Sequence, residues 1–83
     1  MSKTILIVDD SDSIRNVVGI ALKDNGYNVV EAANGQEGLQ VLEREKVNLI
    51  VSDVNMPNMD GITMVKNIKE DARFKFLPVI LLT

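Results

Sequence analysis

Three short runs of uninterrupted apolar residues constrain this chain more than anything else in it: Ile5-Leu6-Ile7-Val8, Leu49-Ile50-Val51 and Val79-Ile80-Leu81-Leu82. Each has the length of a strand and is far too short to cross a membrane. A strand with one wet face alternates apolar and polar residues. An unbroken run is buried on both faces, as in parallel sheets covered by helices. Between the runs the period becomes helical. Ile14, Val17, Val18, Ala21 and Leu22 recur at i, i+3, i+4, i+7 and i+8, which predicts an amphipathic first helix. Ser11 or Asp12 suits its start and Asn25-Gly26 its stop. Val29-Val30 with Glu31 and Ala32 predicts a short, less apolar edge strand. Asn34 opens a second helix, with Glu37 at capping-box spacing. Its Leu39 and Leu42 are expected to face inward, helped by Val41 or Ala33. After a loop over 55–61, a third helix carries Ile62, Val65 and Ile68 on one stripe, with Met64 beside it. Pro78 introduces the last run, expected to be a fourth buried strand.

The pattern is βαβαβαβ within one domain, residues 1–83. Strands alternating with helices imply right-handed crossovers and a doubly wound parallel sheet. In such sheets ligands bind outside the carboxyl ends of the strands. Polar residues collect there: Asp9 and Asp10 after the first run, Asp53 after the third strand, Thr83 after the fourth.

Composition narrows the chemistry. Hydrophobic residues make up 46% of the chain, which excludes a disordered segment. The net charge of -3 argues against nucleic acid as a partner, because phosphate backbones select basic faces. The sequence has no histidine and no cysteine, so disulfides, thiolate metal sites and Ser/His or Cys/His catalysis are excluded. No stretch reads as a signal peptide or a membrane span, and a cytoplasmic setting is expected.

Three carboxylates at neighbouring strand ends repel one another unless a cation joins them. Mg2+ is the natural choice, since it takes a few carboxylates, keeps waters and shares phosphate oxygens. An aspartate beside it can attack an activated phosphoryl group, and the Thr83 hydroxyl could donate to a phosphoryl oxygen. A plainer reading competes, because single aspartates at strand ends commonly cap helices or make turns. Asp12 fits that role, and Pro57, Asn58, Asp60 and Gly61 are ordinary turn residues. Asp9, Asp10, Asp53 and Thr83 together are much harder to explain that way.

The segments Ile5-Leu6-Ile7-Val8-Asp9-Asp10, Ser52-Asp53-Val54-Asn55-Met56-Pro57-Asn58-Met59-Asp60-Gly61 and Leu81-Leu82-Thr83 resemble the receiver domain of two-component response regulators. The resemblance spans the whole chain. It implies a flavodoxin-like sheet in the order 2-1-3-4, lacking the family's last helix-strand-helix. Asp53 then matches the phosphoacceptor, Asp10 the main acidic Mg2+ ligand and Asp9 its partner. Asn55 would offer its backbone carbonyl to the metal, and Thr83 matches the switch hydroxyl. Met56 and Pro57 match a loop that shapes the pocket. The phosphoryl donor would be a histidine kinase or a small molecule such as acetyl phosphate.

Measured against the family, the chain also lacks a lysine that pairs with the phosphoryl group, and the output face. Losing one such charge-assisted contact costs about 2–4 kcal/mol in a transition state, so weak phosphorylation is expected. Strand four is expected to be an open apolar edge that drives self-association. One alternative is a structural half-fold without signalling activity. Another is an Mg2+-dependent phosphatase with an aspartate nucleophile, which is poor because position 55, where a second acid is needed, is Asn. Without a glycine-rich phosphate loop, NTP hydrolysis is not indicated.

Overall fold

A computed structural model describes residues 2–82; Thr83 lies outside the described residues. The elements are β1 (Thr4–Val8), α1 (Asp12–Asp24), β2 (Asn28–Ala32), α2 (Gly35–Arg44), β3 (Leu49–Asp53), α3 (Gly61–Glu70) and β4 (Val79–Leu82). The four strands are all parallel, in the order β2-β1-β3-β4, as the sequence pattern and the family resemblance predict. The less apolar β2 is indeed an edge.

Each helix starts where a side chain accepts from one of its free N–H groups. Ser11 Oγ accepts from Ile14 N–H at 3.3 Å, so Ser11 rather than Asp12 is the cap of α1. Asn34 Oδ1 accepts from Glu37 N–H at 2.9 Å, and Glu37 Oε1 accepts in return from Ala33 N–H at 3.0 Å. This is the expected capping box, with its return bond one residue earlier than usual. Asp60 Oδ1 accepts from Thr63 N–H at 2.7 Å and caps α3.

The principal core lies between the sheet and α2 and α3. It joins Leu6, Val8 and Ile50 to Val41, Leu42, Met64 and Ile68. Ile5 and Ile7 are equally buried on the opposite face, where a Cβ on Gly19 of α1 would sit 3.8 Å from Ile7 Cδ1. β1 is therefore covered on both sides, as its unbroken apolar run requires.

Three packing expectations need correction. On α3 the buried residues are Gly61, Met64 and Ile68, while Ile62 is exposed and Val65 half-buried. The spacing i, i+3, i+7 follows the helical period, whereas 62, 65, 68 drifts around the cylinder. The drift was hidden because glycine does not register as an inward-facing residue. On α1, Val18 and Leu22 are half-buried, but Ile14, Val17 and Ala21 are exposed, Val17 to 65%. On β4 burial alternates, with Ile80 and Leu82 exposed. These two findings share a cause. Ile80 pairs with Val51 and Val51 with Ile7, so Ile80 lies on the face that α1 covers. α1 rests on β1 and β2, and the β4 side of that face is open among the described residues.

Candidate functional site

The register of the two central strands assembles the site. Val8 pairs with Ser52, so one step further along the parallel ladder Asp9 stands beside Asp53. Asp10 follows Asp9 at the same rim. One carboxylate oxygen from each of Asp9, Asp10 and Asp53 lies within 4.8 Å of the other two. Asp9 is buried, Asp53 half-buried and Asp10 exposed, so the cluster opens to solvent on one side. Oxygens so close, all from carboxylates, are a donor set for a hard cation, and Mg2+ fits it by charge and ligand type.

Local bonds hold this rim in place. Asp9 N–H donates to the Ala32 carbonyl at 3.1 Å, and Asp9 Oδ1 accepts from Ser11 N–H at 2.9 Å. Asp53 Oδ1 accepts from Val54 N–H at 2.8 Å. The Ser52 hydroxyl, fully buried, donates to the Asp53 carbonyl at 2.8 Å. Each carboxylate thus spends only part of its acceptor capacity on the protein.

The loop after β3 is closed at both ends. Gly61 N–H donates to the Val54 carbonyl at 2.9 Å, and Gly35 N–H donates to the Met59 carbonyl at 2.9 Å. Two glycines permit this. A Cβ on Gly61 would sit 2.4 Å from the Asp53 carbonyl oxygen, and one on Gly35 would sit 2.8 Å from that of Met59. Asn58, at φ 67°, takes the left-handed turn position that asparagine tolerates better than most residues. Asn55 lies in this loop two residues past Asp53 and is exposed; Met56 is half-buried and packs against the core. The Asp60 carboxyl is held below its ordinary range, chiefly by the Thr63 N–H it accepts from as helix cap.

Sequence reasoning missed two residues here. Arg15 of α1, only 14% exposed at its side chain, donates to the Asp9 carbonyl and to the Asp12 carboxylate. Its Nε also donates to Glu31 Oε1 of β2 at 3.1 Å. The i, i+3 spacing of Asp12 and Arg15 was a visible signal; the partnership with Glu31 was not. A concavity of about 560 Å³ at the opposite end of the sheet takes no part in this site; Glu43 and Arg73 in its lining are paired with each other.

Comparison with known proteins agrees with this geometry. The sequence model of the response regulator receiver domain matches residues 5–83. Chemotaxis protein CheY-3 of Vibrio cholerae is 42% identical over 80 residues, covering 95% of this chain and 62% of that protein. The alkaline phosphatase synthesis transcriptional regulatory protein PhoP of Bacillus subtilis is 40% identical over 83 residues, covering 100% of this chain and 34% of that protein. The chain thus spans less than two thirds of the length of these relatives. Among solved structures, the chemotaxis response regulator CheY4 of Vibrio cholerae superposes with a TM-score of 0.93 at 41% identity, covering 98% of this chain and 68% of that one. The signal receiver domain of a signal transduction histidine kinase from Syntrophus aciditrophicus gives 0.96 at 36% identity, covering 99% and 62%. With its parallel 2-1-3-4 sheet and a cluster of aspartates at the carboxyl rim, this chain belongs to the response regulator receiver domain family of two-component signalling.

Proposed function

We propose that Asp53 accepts a phosphoryl group from a histidine kinase or a small phosphodonor. In that reaction an Asp53 carboxylate oxygen forms a bond to phosphorus. The donor's P–N or P–O bond breaks, and its electron pair leaves with the donor. The product is an acyl phosphate on β3. Asp9, Asp10, Asp53 and the Asn55 backbone carbonyl would hold Mg2+, which when bound offsets the charge of the incoming phosphoryl group. Thr83 would supply a hydroxyl to a phosphoryl oxygen. On this reading the chain is a signalling phosphoacceptor in the cytoplasm, and its only turnover is hydrolysis of its own acyl phosphate.

The observation that carries the reading is the placement of Asp53. It is half-buried at the open rim, with two further carboxylates converging on it. Intact-mass measurement after incubation with acetyl phosphate and Mg2+ tests it. The chain should gain one phosphoryl group, and the Asp53→Asn variant should gain none. An adduct of equal yield on that variant would refute the assignment.

A second reading concerns assembly. The outer edge of β4 pairs with no strand among the described residues, and Ile80 and Leu82 of β4 are exposed, as are Ile14, Val17 and Ile20 of α1. An open, apolar parallel edge is a template for another chain. We therefore assign to this face a second copy of the chain as partner.

A further inference from the structure

We infer that Arg15 is a positioning residue for the acidic cluster, and that it fits the Asp9-Asp10 pair to a small octahedral cation. The inference rests on the metal-site reading above and goes beyond it to a residue that binds no ion itself.

Arg15 lies at the junction of β1, α1 and β2. Its guanidinium joins three elements: the Asp9 carbonyl where β1 ends, the Asp12 carboxylate in the first turn of α1, and Glu31 Oε1 on β2 at 3.1 Å. Asp9 is then held at every polar group it has. Its N–H donates to Ala32, its carboxylate accepts from Ser11, and its carbonyl accepts from Arg15. The carbonyl matters most, because it lies in the peptide plane that leads to Asp10. Fixing that plane fixes the Cα of Asp10, whose own side chain is exposed. A rotation of the plane would swing the Asp10 carboxylate away from Asp9 and Asp53.

Electrostatics is consistent with this role. A bare cation beside a cation site would oppose binding. The charge of Arg15 is matched by Asp12 and Glu31, so the arginine can sit beside the cluster without repelling an ion. A lysine could keep the charge but not the planar fork that meets three acceptors at once.

Mg2+ demands near-ideal octahedral geometry, whereas Ca2+ accepts flexible coordination. Loss of positioning is therefore read as loss of preference between the two ions. The experiment is calorimetric titration of the chain and its Arg15→Lys variant with Mg2+ alone and with Ca2+ alone, with thermal melts in chelator as a check on folding. Removing a residue that orients metal ligands typically costs about 10–100-fold in affinity. We expect Arg15→Lys to lower Mg2+ affinity about tenfold and Ca2+ affinity by less than about threefold. Glu31→Gln, which weakens one anchor of the guanidinium at an exposed position, should shift preference the same way by less; it decides the matter if Arg15→Lys does not fold. Equal losses for both ions, or no loss, would overturn the inference while leaving the metal site intact. A wild-type chain that binds neither ion refutes the metal-site reading itself, and the inference falls with it.

Discussion

The substitution Gly61→Ala probes how closely the loop after β3 is packed against the strand that carries Asp53. An added Cβ would lie 2.4 Å from the Asp53 carbonyl oxygen, 3.1 Å from Leu81 Cδ2 and 3.2 Å from Val54 Cα. Carbon–oxygen contacts settle near 3.3 Å, so strand and helix must separate by about 0.9 Å. The worst contact sets a backbone carbonyl against a Cβ whose place the backbone fixes, and neither can rotate away. Forced insertion of this kind costs about 1–3 kcal/mol. Alanine's helix propensity, at most about 1 kcal/mol over glycine, offsets part of that at the first position of α3. The net expectation is a loss of about 1–2 kcal/mol. Gly38→Ala is the matched control. Its Cβ would meet Met64 Sδ at 3.0 Å and Val8 Cγ2 at 3.3 Å. The thioether can move aside, and the site is mid-helix, so this variant should stay within about 1 kcal/mol of the original chain. Urea denaturation of the three proteins, with a common m-value, measures the differences. If Gly61→Ala is as stable as the original, or Gly38→Ala loses more, the close-packing argument is wrong.

Two further outcomes follow from the surface. The carboxyls of Glu43 and Asp71 lie below their ordinary values of 4.5 and 3.8, chiefly through hydrogen bonds from the Arg73 side chain, and Asp60 lies below 3.8 through its bond from Thr63 N–H. A carboxyl whose folded pKa is depressed stabilises the fold fully above its unfolded value, and that contribution is lost as pH falls through the folded one. Melting temperature should therefore decline as pH drops below 4.5 and through 3.8, and Arg73→Gln should flatten the decline; an unchanged slope would contradict the assignment. For assembly, light scattering should show mass rising with concentration, and Ile80→Lys should suppress the rise by placing a charge on the open face of β4. A chain that stays monomeric at high concentration refutes the second-copy reading.

The fold class and the clustering of Asp9, Asp10 and Asp53 were legible in the sequence because they depend on local order. Unbroken apolar runs mark strands buried on both faces, and an acid at the end of such a run must lie at the carboxyl rim of the sheet. Asn34 and Glu37 announced their capping box for the same reason, since all its partners lie within a few residues. The family resemblance added the strand order, which periodicity alone does not contain.

Only the tertiary structure decided which helix face is buried and what holds the site. Ile68 is buried as expected, but Gly61 and Met64 take the inward places expected of Ile62 and Val65, because a glycine counts as an inward residue once another backbone lies against it. α1 showed a full apolar stripe, yet Ile14 and Val17 are exposed, because burial depends on what stands opposite and not on the stripe itself. Arg15 and Glu31 stand 16 residues apart, and nothing in that spacing announces a contact. Parallel pairing of β1 with β2 brings them together, just as pairing β1 with β3 sets Asp9 beside Asp53. A sequence lists the groups that can carry charge or accept a bond. The register of the sheet decides which of them meet, because each pairing is set by the burial of a whole strand and not by the polar residues at its end.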